Sequence, residues 1–400
     1  MELIMSNESG LMNRRDFVSS ITGLAFAASQ PAWAQSATSN PTTKVLFVLL
    51  RGAMDGLTAV PAVGDVDFAG LRPSLTLKAP LPLNGDFALH PALTTLHGLW
   101  TQNQLNIVHA TGFAYQGRSH FEGQDIMQSG FMKPYTSPSG FVGRALEKSG
   151  LSAHGVAISI PMPLLLKGSP ESSTEYPNWM KPASPSMLRA LSDEWQKDST
   201  LHAIVNQLRN DRLEASAMLG SAPRVPFQEA KSTFSLAKLA GERMQAPNGP
   251  RAGLIDMQGG FDTHASQGTD IGAHATKLKE LDDIFKGFRQ GIGSEWSNAM
   301  VVTLTEFGRN VKENGNEGTD HGVGSCIFVA GGLLNKSRVI TDWRGLKSAQ
   351  LIDGRDLPTS IDACGVYAKV LERAFGLSDT EIQAEVLAHQ PHALLKDWLA

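Results

Sequence analysis

The sequence predicts an α/β fold, a large doubly wound and mostly parallel sheet with helices on both faces. Two observations lead to this prediction: short apolar runs recur along the chain, and stretches with helical periodicity separate them. Strands that are covered on both faces read as unbroken apolar runs, and alternation of strands with helices is typical of parallel sheets.

The first predicted strand is the run VLFVLL at 45–50, which ends at Arg51-Gly52. Similar runs follow at 105–108, 155–160, 253–256, 300–304 and 326–329. Apolar residues at helical spacing predict helices within 90–103 and 272–290. A polar-rich stretch at about 186–246 predicts two or three further helices, which form an insert or cap.

Composition excludes several classes of protein. With 42% hydrophobic and 18% charged residues among 400, the chain is globular rather than disordered. A formal charge of −4 without any long basic run argues against a nucleic-acid partner or an anionic membrane surface. With only two cysteines, Cys326 and Cys364, the chain cannot form a thiolate zinc cluster. These two cysteines form either a disulfide or two buried free thiols.

The N-terminal segment is predicted to be an export signal. Arg14 and Arg15 precede a moderately apolar stretch at 21–28, as in twin-arginine signals. Ala32-Trp33-Ala34 has the small-x-small pattern that signal peptidase cuts. The alternative is a poorly ordered basic terminus, and the start codon is Met1, Met5 or Met12.

We therefore expect a signal peptide at 1–34, a linker at 35–43 and one α/β domain at 44–400. The twin-arginine translocase would be its partner during export, and the product, cleaved after Ala34, would reside in the periplasm. The apolar stretch of the signal and every later apolar run fall short of the roughly 20 residues that a membrane span needs, so no stable span is expected.

Polar residues follow the predicted strands, where ligands bind in doubly wound folds. Asp55 comes after the first strand, and Asp262 and His264 lie in a glycine-rich loop after 253–256. Glu306 follows the strand at 300–304. Asp55 is alternatively an ordinary Asp-Gly turn residue, and Glu306 alternatively forms an internal salt bridge with the nearby arginine.

Asp320 and His321 lie in another glycine-rich loop, just before the apolar run at 326–329. Carboxylates and neutral imidazoles are the ligands of catalytic zinc, and of manganese or iron at similar sites. These loops are therefore expected to converge on one site that holds one or two divalent cations, most simply zinc, with manganese, iron or calcium as alternatives.

A last cluster, Arg118-Ser119-His120, follows the strand at 105–108. Ser119 is either a nucleophile beside the metal or a helix N-cap, because Glu122 stands three residues later as in a capping box. Arg118 or Arg309 would hold an anion. Ser119 with His120 could also act as nucleophile and base without any metal.

The motifs LLRGAMDGL, RSHF, GGFDTH, TEFGRN and GTDHG, in this order, resemble the exported bacterial proteins grouped as domain of unknown function 1501. The resemblance covers about residues 44–375. That family is placed at a distance among relatives of alkaline phosphatases and sulfatases. The resemblance implies an alkaline phosphatase-like core with a metal site for phosphoryl or sulfuryl transfer.

The resemblance also implies roles for single residues. Asp262 and His264 are similar to the Asp-x-x-x-His metal pair of that superfamily, at a shorter spacing. Glu306-Phe307 stands where an Asp-His pair is usual, and Asp320 with His321 replaces that pair or the last metal histidine.

Asp55 resembles the aspartate of the first strand but comes later. In the absence of a Cys-x-Pro-x-Arg motif, Ser119 substitutes for the nucleophile.

The functional prediction is a metal-dependent hydrolase that acts on small phosphate or sulfate esters. One alternative is a catalytically degenerate binding or assembly protein of the same fold, which the substituted Asp-His pair favours. The other is the metal-free enzyme that uses Ser119 and His120. Metal content separates the first reading from the last, and turnover of aryl esters separates the first from the binding protein.

Overall fold

The predicted apolar runs pair into one mixed sheet in the computed structural model, which describes residues 43–150, 155–159, 161–175, 193, 231–246, 248–396 and 398–399. The proposed signal with Arg14 and Arg15, nearly all of the linker and most of the predicted helical insert at 186–246 lie outside the described residues. Of that insert, the structure describes one helix, Thr233–Gln245.

The strand at 44–50 is buried on both faces, which explains its unbroken apolar sequence. Val45, Phe47 and Leu49 face one hydrophobic core, whereas the alternate residues Leu46 and Val48 face the other. Since both faces of this strand are covered, no polar alternation is needed. The strands are β1 (Lys44–Leu50), β2 (Leu81–Pro82), β3 (Ala88–Leu89), β4 (Leu105–Gly112), β5 (Gly155–Ala157), β6 (Ser173–Thr174), β7 (Ala252–Met257), β8 (Ala299–Thr305), β9 (Ser325–Gly331), β10 (Arg338–Ile340) and β11 (Ile361–Asp362).

Nine of these strands, among the described residues, form the main sheet in the order β10-β4-β9-β8-β1-β7-β5-β6, with β11 also paired to β4. Strand β9 is antiparallel to its neighbours β4 and β8, and the other described pairings in this sheet are parallel. Strands β2 and β3 form a separate antiparallel pair. The predicted mostly parallel sheet is confirmed.

Helices cover both faces of the sheet, as predicted. The helices at 94–101, 233–245 and 273–292 pack into one core, and those at 120–129, 141–149 and 363–375 pack into the other. The helices are α1 (Gly56–Ala59), α2 (Phe68–Leu71), α3 (Thr94–Thr101), α4 (His120–Ser129), α5 (Phe141–Ser149), α6 (Thr233–Gln245), α7 (Ala273–Ile292), α8 (Ala363–Phe375) and α9 (Asp379–Glu381), with 3-10 turns at Leu164–Leu166, Gly293–Asn298, Ser348–Gln350 and Ala393–Leu395 and a π turn at Ile382–Val386.

Cys326 and Cys364 are both buried free thiols, so of the two readings left open the disulfide is not formed. Burial raises the pKa of the Cys326 thiol and of the Cys364 thiol. Within the described ranges, no helix has the length and apolar character needed to cross a membrane.

The register of the sheet brings several loops to one edge. The last residue of β1, Leu50, lies opposite Met257 of β7 and Thr305 of β8, so the three parallel strands end side by side. Because β9 runs in the opposite direction, it begins at the same edge. The loops after β1, β7 and β8 and the segment before β9 therefore meet there, as expected for a ligand site in this fold class.

Candidate metal centre

Three histidines and one aspartate converge at this edge of the sheet. Nε2 of His321 lies 3.0 Å from Nε2 of His120 and 3.1 Å from Nε2 of His264. Oδ1 of Asp262 lies 3.1 Å from Nε2 of His321 and 3.0 Å from Nε2 of His264. His120 is the first residue of α4, and its Nε2 lies 3.4 Å from Oδ2 of Asp262.

The other ring nitrogen of each histidine faces an oxygen that can only accept. Nδ1 of His120 donates to Oε1 of Glu306 at 2.9 Å, and Nδ1 of His264 donates to Oδ1 of Asp320 at 3.0 Å. Nδ1 of His321 donates to the backbone carbonyl of Arg118 at 2.9 Å. Each neutral ring therefore carries its proton on Nδ1, which leaves a lone pair on each Nε2.

This tautomer makes the short Nε2–Nε2 distances informative. When both rings are neutral, two lone pairs that face each other at 3.0–3.1 Å repel each other unless a proton or a metal cation lies between them. Ligand atoms about 2.0–2.1 Å from a tetrahedral zinc lie about 3.3 Å apart, close to the spacing of this cluster. The ligand atoms of His120, Asp262 and His321 all lie within 4.8 Å of one another. The donor set fits a divalent cation.

Charge at the cluster also favours a cation. Burial, the largest effect, lowers the pKa of His321, so this ring prefers to be neutral. Burial alone would raise the pKa of Asp262, but the hydrogen bond and charge of Arg309 lower that pKa to about 2. The cluster therefore offers a carboxylate and neutral imidazole at the same pH. His120 differs, because its hydrogen bond to Glu306 raises the pKa of its ring.

Glu306, predicted as a metal ligand, lies behind His120 rather than among the converging atoms. The residue is 1% exposed, and Oε1 accepts from Nδ1 of His120, from the backbone N–H of Gly52 at 2.8 Å and from Nε2 of Gln124 at 3.2 Å. Gly52 suits this approach because its φ is +109° and a Cβ atom there would lie 3.0 Å from the backbone nitrogen of Asp262. Glu306 is thus placed to orient His120.

Asp320, also predicted as a ligand, has the same relation to His264. Its Oδ1 accepts from Nδ1 of His264 and from Nδ2 of Asn314, each at 3.0 Å. These hydrogen bonds, that of His264 first, lower the pKa of Asp320. Carboxylate–histidine–metal arrangements of this kind fix the tautomer of the ligand and raise its basicity.

These positions predict different effects for two carboxylates. We expect Glu306→Gln to weaken zinc binding about tenfold, since it removes a partner that orients a ligand. Asp262→Asn should weaken zinc binding at least about a hundredfold, since it removes a charged ligand. Competition with a chromophoric chelator measures both constants. Equal losses in the two variants would show that Glu306 binds the metal directly.

Asp55 does not join the cluster. It is 1% exposed and forms an ion pair with Arg72, with Oδ2 2.7 Å from Nη1. Asp55 also caps α1, where Oδ1 accepts from the backbone N–H of Thr58. Burial alone would raise the pKa of Asp55, but the charge and hydrogen bond of Arg72 hold it well below its usual range. Its role in the structure is internal pairing.

Neither predicted anion clamp is free. Arg309 is 1% exposed, and its N–H groups bond to Asp262 and to backbone carbonyls of three loops, those of Gly52, Ala53, Phe261 and Thr319. Arg118, in a left-handed conformation with φ of 53°, bonds to the buried Asp356, with Nε 3.0 Å from Oδ2. Both arginines hold the loops in place.

Ser119 is the N-cap residue of α4 by position, yet its side chain caps no amide. The predicted capping box is therefore wrong. Glu122 instead accepts a hydrogen bond from the hydroxyl of Tyr115 at 2.7 Å, and the same hydroxyl receives the backbone N–H of Ser119 at 3.2 Å. In the described part of the chain, no histidine or carboxylate hydrogen bonds to the Ser119 hydroxyl. Both ring nitrogens of His120 are engaged elsewhere.

Sequence reasoning named His120 as a base and missed it as a member of the metal cluster. It also missed Asp356, whose ion pair supports Arg118, and Gln267, which is 0% exposed beneath the cluster. The signal for His120 was its position after a predicted strand, the same rule that selected the other loops. No pattern in the sequence marks Asp356 or Gln267.

Comparison with protein families gives one match. Residues 194–389, just under half of the chain, match the family model described as "Protein of unknown function (DUF1501)". The chain is similar to the DUF1501 proteins. This match includes Asp262, His264 and His321 and supports the resemblance drawn from the motifs, whereas His120 lies outside it. No curated protein sequence matches the chain.

Several solved structures show a distant likeness. The C-terminal periplasmic domain of EcEptC from Escherichia coli, in complex with zinc, has a TM-score of 0.37 and 8% identity over 80% of this chain and 85% of that one. Alkaline phosphatase from the Antarctic bacterium TAB5 has a TM-score of 0.33 and 11% identity over 75% and 95%. A protein of the alkaline phosphatase superfamily from Vibrio parahaemolyticus has a TM-score of 0.33 and 12% identity over 83% and 73%.

Proposed function

We propose that this chain is an exported, metal-dependent hydrolase of phosphate or sulfate esters. One observation carries the proposal: the Nε2 lone pairs of His120, His264 and His321 converge beside Asp262, with each Nδ1 already bonded to an oxygen. In their neutral form these imidazoles would repel one another at this spacing, and a bound divalent cation would remove that repulsion. The signal with Arg14 and Arg15 supports export to the periplasm by the twin-arginine translocase.

His120, His321 and Asp262 would hold the cation, with His264 as a further ligand. Zinc suits this set best because imidazole nitrogen and carboxylate are its usual ligands at catalytic sites, and manganese and iron accept the same atoms. When bound, a divalent cation supplies a Lewis acid that stabilises charge on the ester oxygens and promotes ionisation of a water nucleophile.

The nucleophile is a water molecule rather than the Ser119 hydroxyl. A serine needs a neighbouring base or a lowered pKa to attack, and the described structure gives Ser119 no basic hydrogen-bond partner. His120 cannot serve as that base, since its Nδ1 bonds to Glu306 and its Nε2 faces His321. As the first residue of α4, His120 also places the positive end of a helix dipole beside the site.

The charges near the cluster suit an anionic ester once a divalent cation is bound. The charge of Arg309 neutralises that of Asp262. Arg118 and Arg355 both pair with Asp356, which leaves one positive charge in that group. Glu306 and Asp320 add two negative charges, and their pKa values are both lowered: hydrogen bonds from His120 and Gly52 outweigh the burial of Glu306, and those from His264 and Asn314 act on Asp320. A divalent cation brings the total to one positive charge. This net positive charge would attract the anionic phosphoryl or sulfuryl group of an ester.

Aryl esters of three kinds test the proposal: 4-nitrophenyl sulfate, bis(4-nitrophenyl) phosphate and 4-nitrophenyl phosphate. We expect zinc-loaded protein to hydrolyse at least one of these three anionic esters. Chelation should abolish this activity, and Ser119→Ala should retain it within about threefold, because Ser119 is not the nucleophile. Activity that survives complete chelation and disappears in Ser119→Ala would instead support the metal-free enzyme.

A second candidate is a metal-binding protein without turnover, a degenerate relative that binds or assembles. The paired state of Arg118 and Arg309 favours it, because neither guanidinium is free to clamp a phosphoryl or sulfuryl group. Stoichiometric zinc together with no turnover of any of the three esters would select this candidate.

A further inference from the structure

We propose that Gln267 is a positioning residue that sets the two ligand-bearing loops of the metal centre in register through Thr263 and Thr319. The inference rests on the proposed metal centre, and it does not depend on hydrolysis. It assigns a role to a buried polar group that the cluster itself does not use.

Gln267 has every hydrogen-bonding site of its amide occupied. Its Oε1 accepts from the hydroxyls of Thr263 and Thr319, each at 2.8 Å. Its Nε2 donates to Oδ2 of Asp55 at 2.9 Å and to Oγ1 of Thr58 at 3.0 Å. The residue is 0% exposed, so no water competes for these bonds. A buried amide with four bonds has one low-energy orientation.

The ion pair beneath Gln267 fixes the direction of the amide. Asp55 is ionised and can only accept, since Arg72 holds its pKa low against the effect of burial. The NH2 group of Gln267 must therefore face Asp55, and its carbonyl oxygen must face the two threonines. Both hydroxyls then donate to Oε1 of Gln267 at 2.8 Å, whereas the other acceptor near the Thr263 hydroxyl, the carbonyl of Phe261, is farther away at 3.4 Å. Through Gln267, the buried Arg72–Asp55 ion pair therefore restrains the loops that carry Thr263 and Thr319.

Those threonines stand directly beside the metal ligands. Thr263 lies between Asp262 and His264, and Thr319 comes immediately before Asp320 and His321. A backbone hydrogen bond, from the N–H of Thr319 to the carbonyl of Thr263 at 3.1 Å, already joins the two loops. Ligand sets lose affinity when their atoms move by more than about 0.5 Å. Holding both threonines on one oxygen limits such movement.

The test compares Thr263→Val with Thr263→Ser, and Thr319→Val with Thr319→Ser, in the full chain. Valine keeps the volume and removes the hydroxyl, whereas serine keeps the hydroxyl. We expect each valine variant to bind zinc about tenfold more weakly in chelator competition and each serine variant to bind within about twofold of wild type. Thr111→Val is the matched control, since Thr111 is 1% exposed and its hydroxyl donates to the carbonyl of Ile361 at 2.8 Å.

A purely structural role would lower the melting temperature of all three valine variants and leave zinc affinity unchanged. Unchanged affinity in Thr263→Val and Thr319→Val, with tight binding by wild type, would overturn the inference and leave the proposed metal centre standing. No zinc binding by wild type would overturn both. Weakened binding in the valine variants, restored by serine and absent from Thr111→Val, would support the inference.

Discussion

Replacement of His321 by alanine should weaken zinc binding at least about a hundredfold and reduce ester hydrolysis to the rate of chelated protein. Nε2 of His321 lies 3.0–3.1 Å from the nearest side-chain atoms of His120, His264 and Asp262. It therefore stands at the centre of the candidate ligand set. Its loss removes a donor and separates the remaining groups. Zinc affinity by chelator competition and kcat/KM on the preferred ester measure the two effects.

The control for this variant is His97→Ala. Nε2 of His97 bonds to the backbone carbonyl of Pro82 at 3.0 Å, away from the loops of the cluster. This control should bind zinc as wild type does. If His321→Ala kept wild-type affinity, the convergence of lone pairs would have no bearing on metal binding, and the proposed function would fail with it.

Asp55→Asn should cost about 3–5 kcal/mol of the free energy of unfolding at neutral pH, because it leaves the guanidinium of Arg72 buried without its counter-charge. Both side chains are 1% exposed. Arg72 also donates to the backbone carbonyls of Asn310 and Val311, so the strain would spread to the segment after β8. Denaturant unfolding of the two proteins measures the difference.

The pH dependence of this effect has a defined sign. The pKa of Asp55 in the folded protein is lower than in the unfolded chain, where it is about 3.9. The pair therefore contributes its full stability above pH about 4, and the contribution declines as the pH falls toward the folded-state pKa. The gap between wild type and Asp55→Asn should be constant from pH 5 to 8 and shrink below pH about 4.

Asp283→Asn supplies the comparison, since Asp283 pairs with Lys279 on the solvent side of α7. Such i,i+4 pairs contribute about 0.3–0.5 kcal/mol. A cost for Asp55→Asn that is as small as this would contradict the buried ion pair.

The sheet was predictable because strands buried on both faces have unbroken apolar sequences. The runs at 45–50 and 300–304 became β1 and β8 within one residue at each end. The direction of β9 was not predictable, since a strand buried on both faces looks the same in either direction. The segment at 306–324 contains no described helix that could cross over the sheet, and the chain returns antiparallel.

The location of the site was predictable from the sequence, whereas the roles of its individual carboxylates were not. The rule that ligands lie beyond strand ends selected His264 and His321 correctly as neighbours, together with Asp262. The sequence does not show which carboxylate points at a cation and which orients a histidine, because the side-chain directions of Glu306 and Asp262 depend on the fold. Asp55 stays out of the metal cluster because it pairs with Arg72. Arg72 lies in a stretch without helical or strand periodicity, so the sequence did not predict this pair.

Metal content of the full chain, purified without chelators and measured by elemental analysis, tests the central claim most directly. We expect about one or more equivalents of zinc, manganese or iron in wild type and a clear loss in a variant with His264 and His321 both replaced by alanine. Wild-type protein that is free of metal and refuses added zinc, manganese, iron and calcium would contradict it, as would full metal content in the double variant.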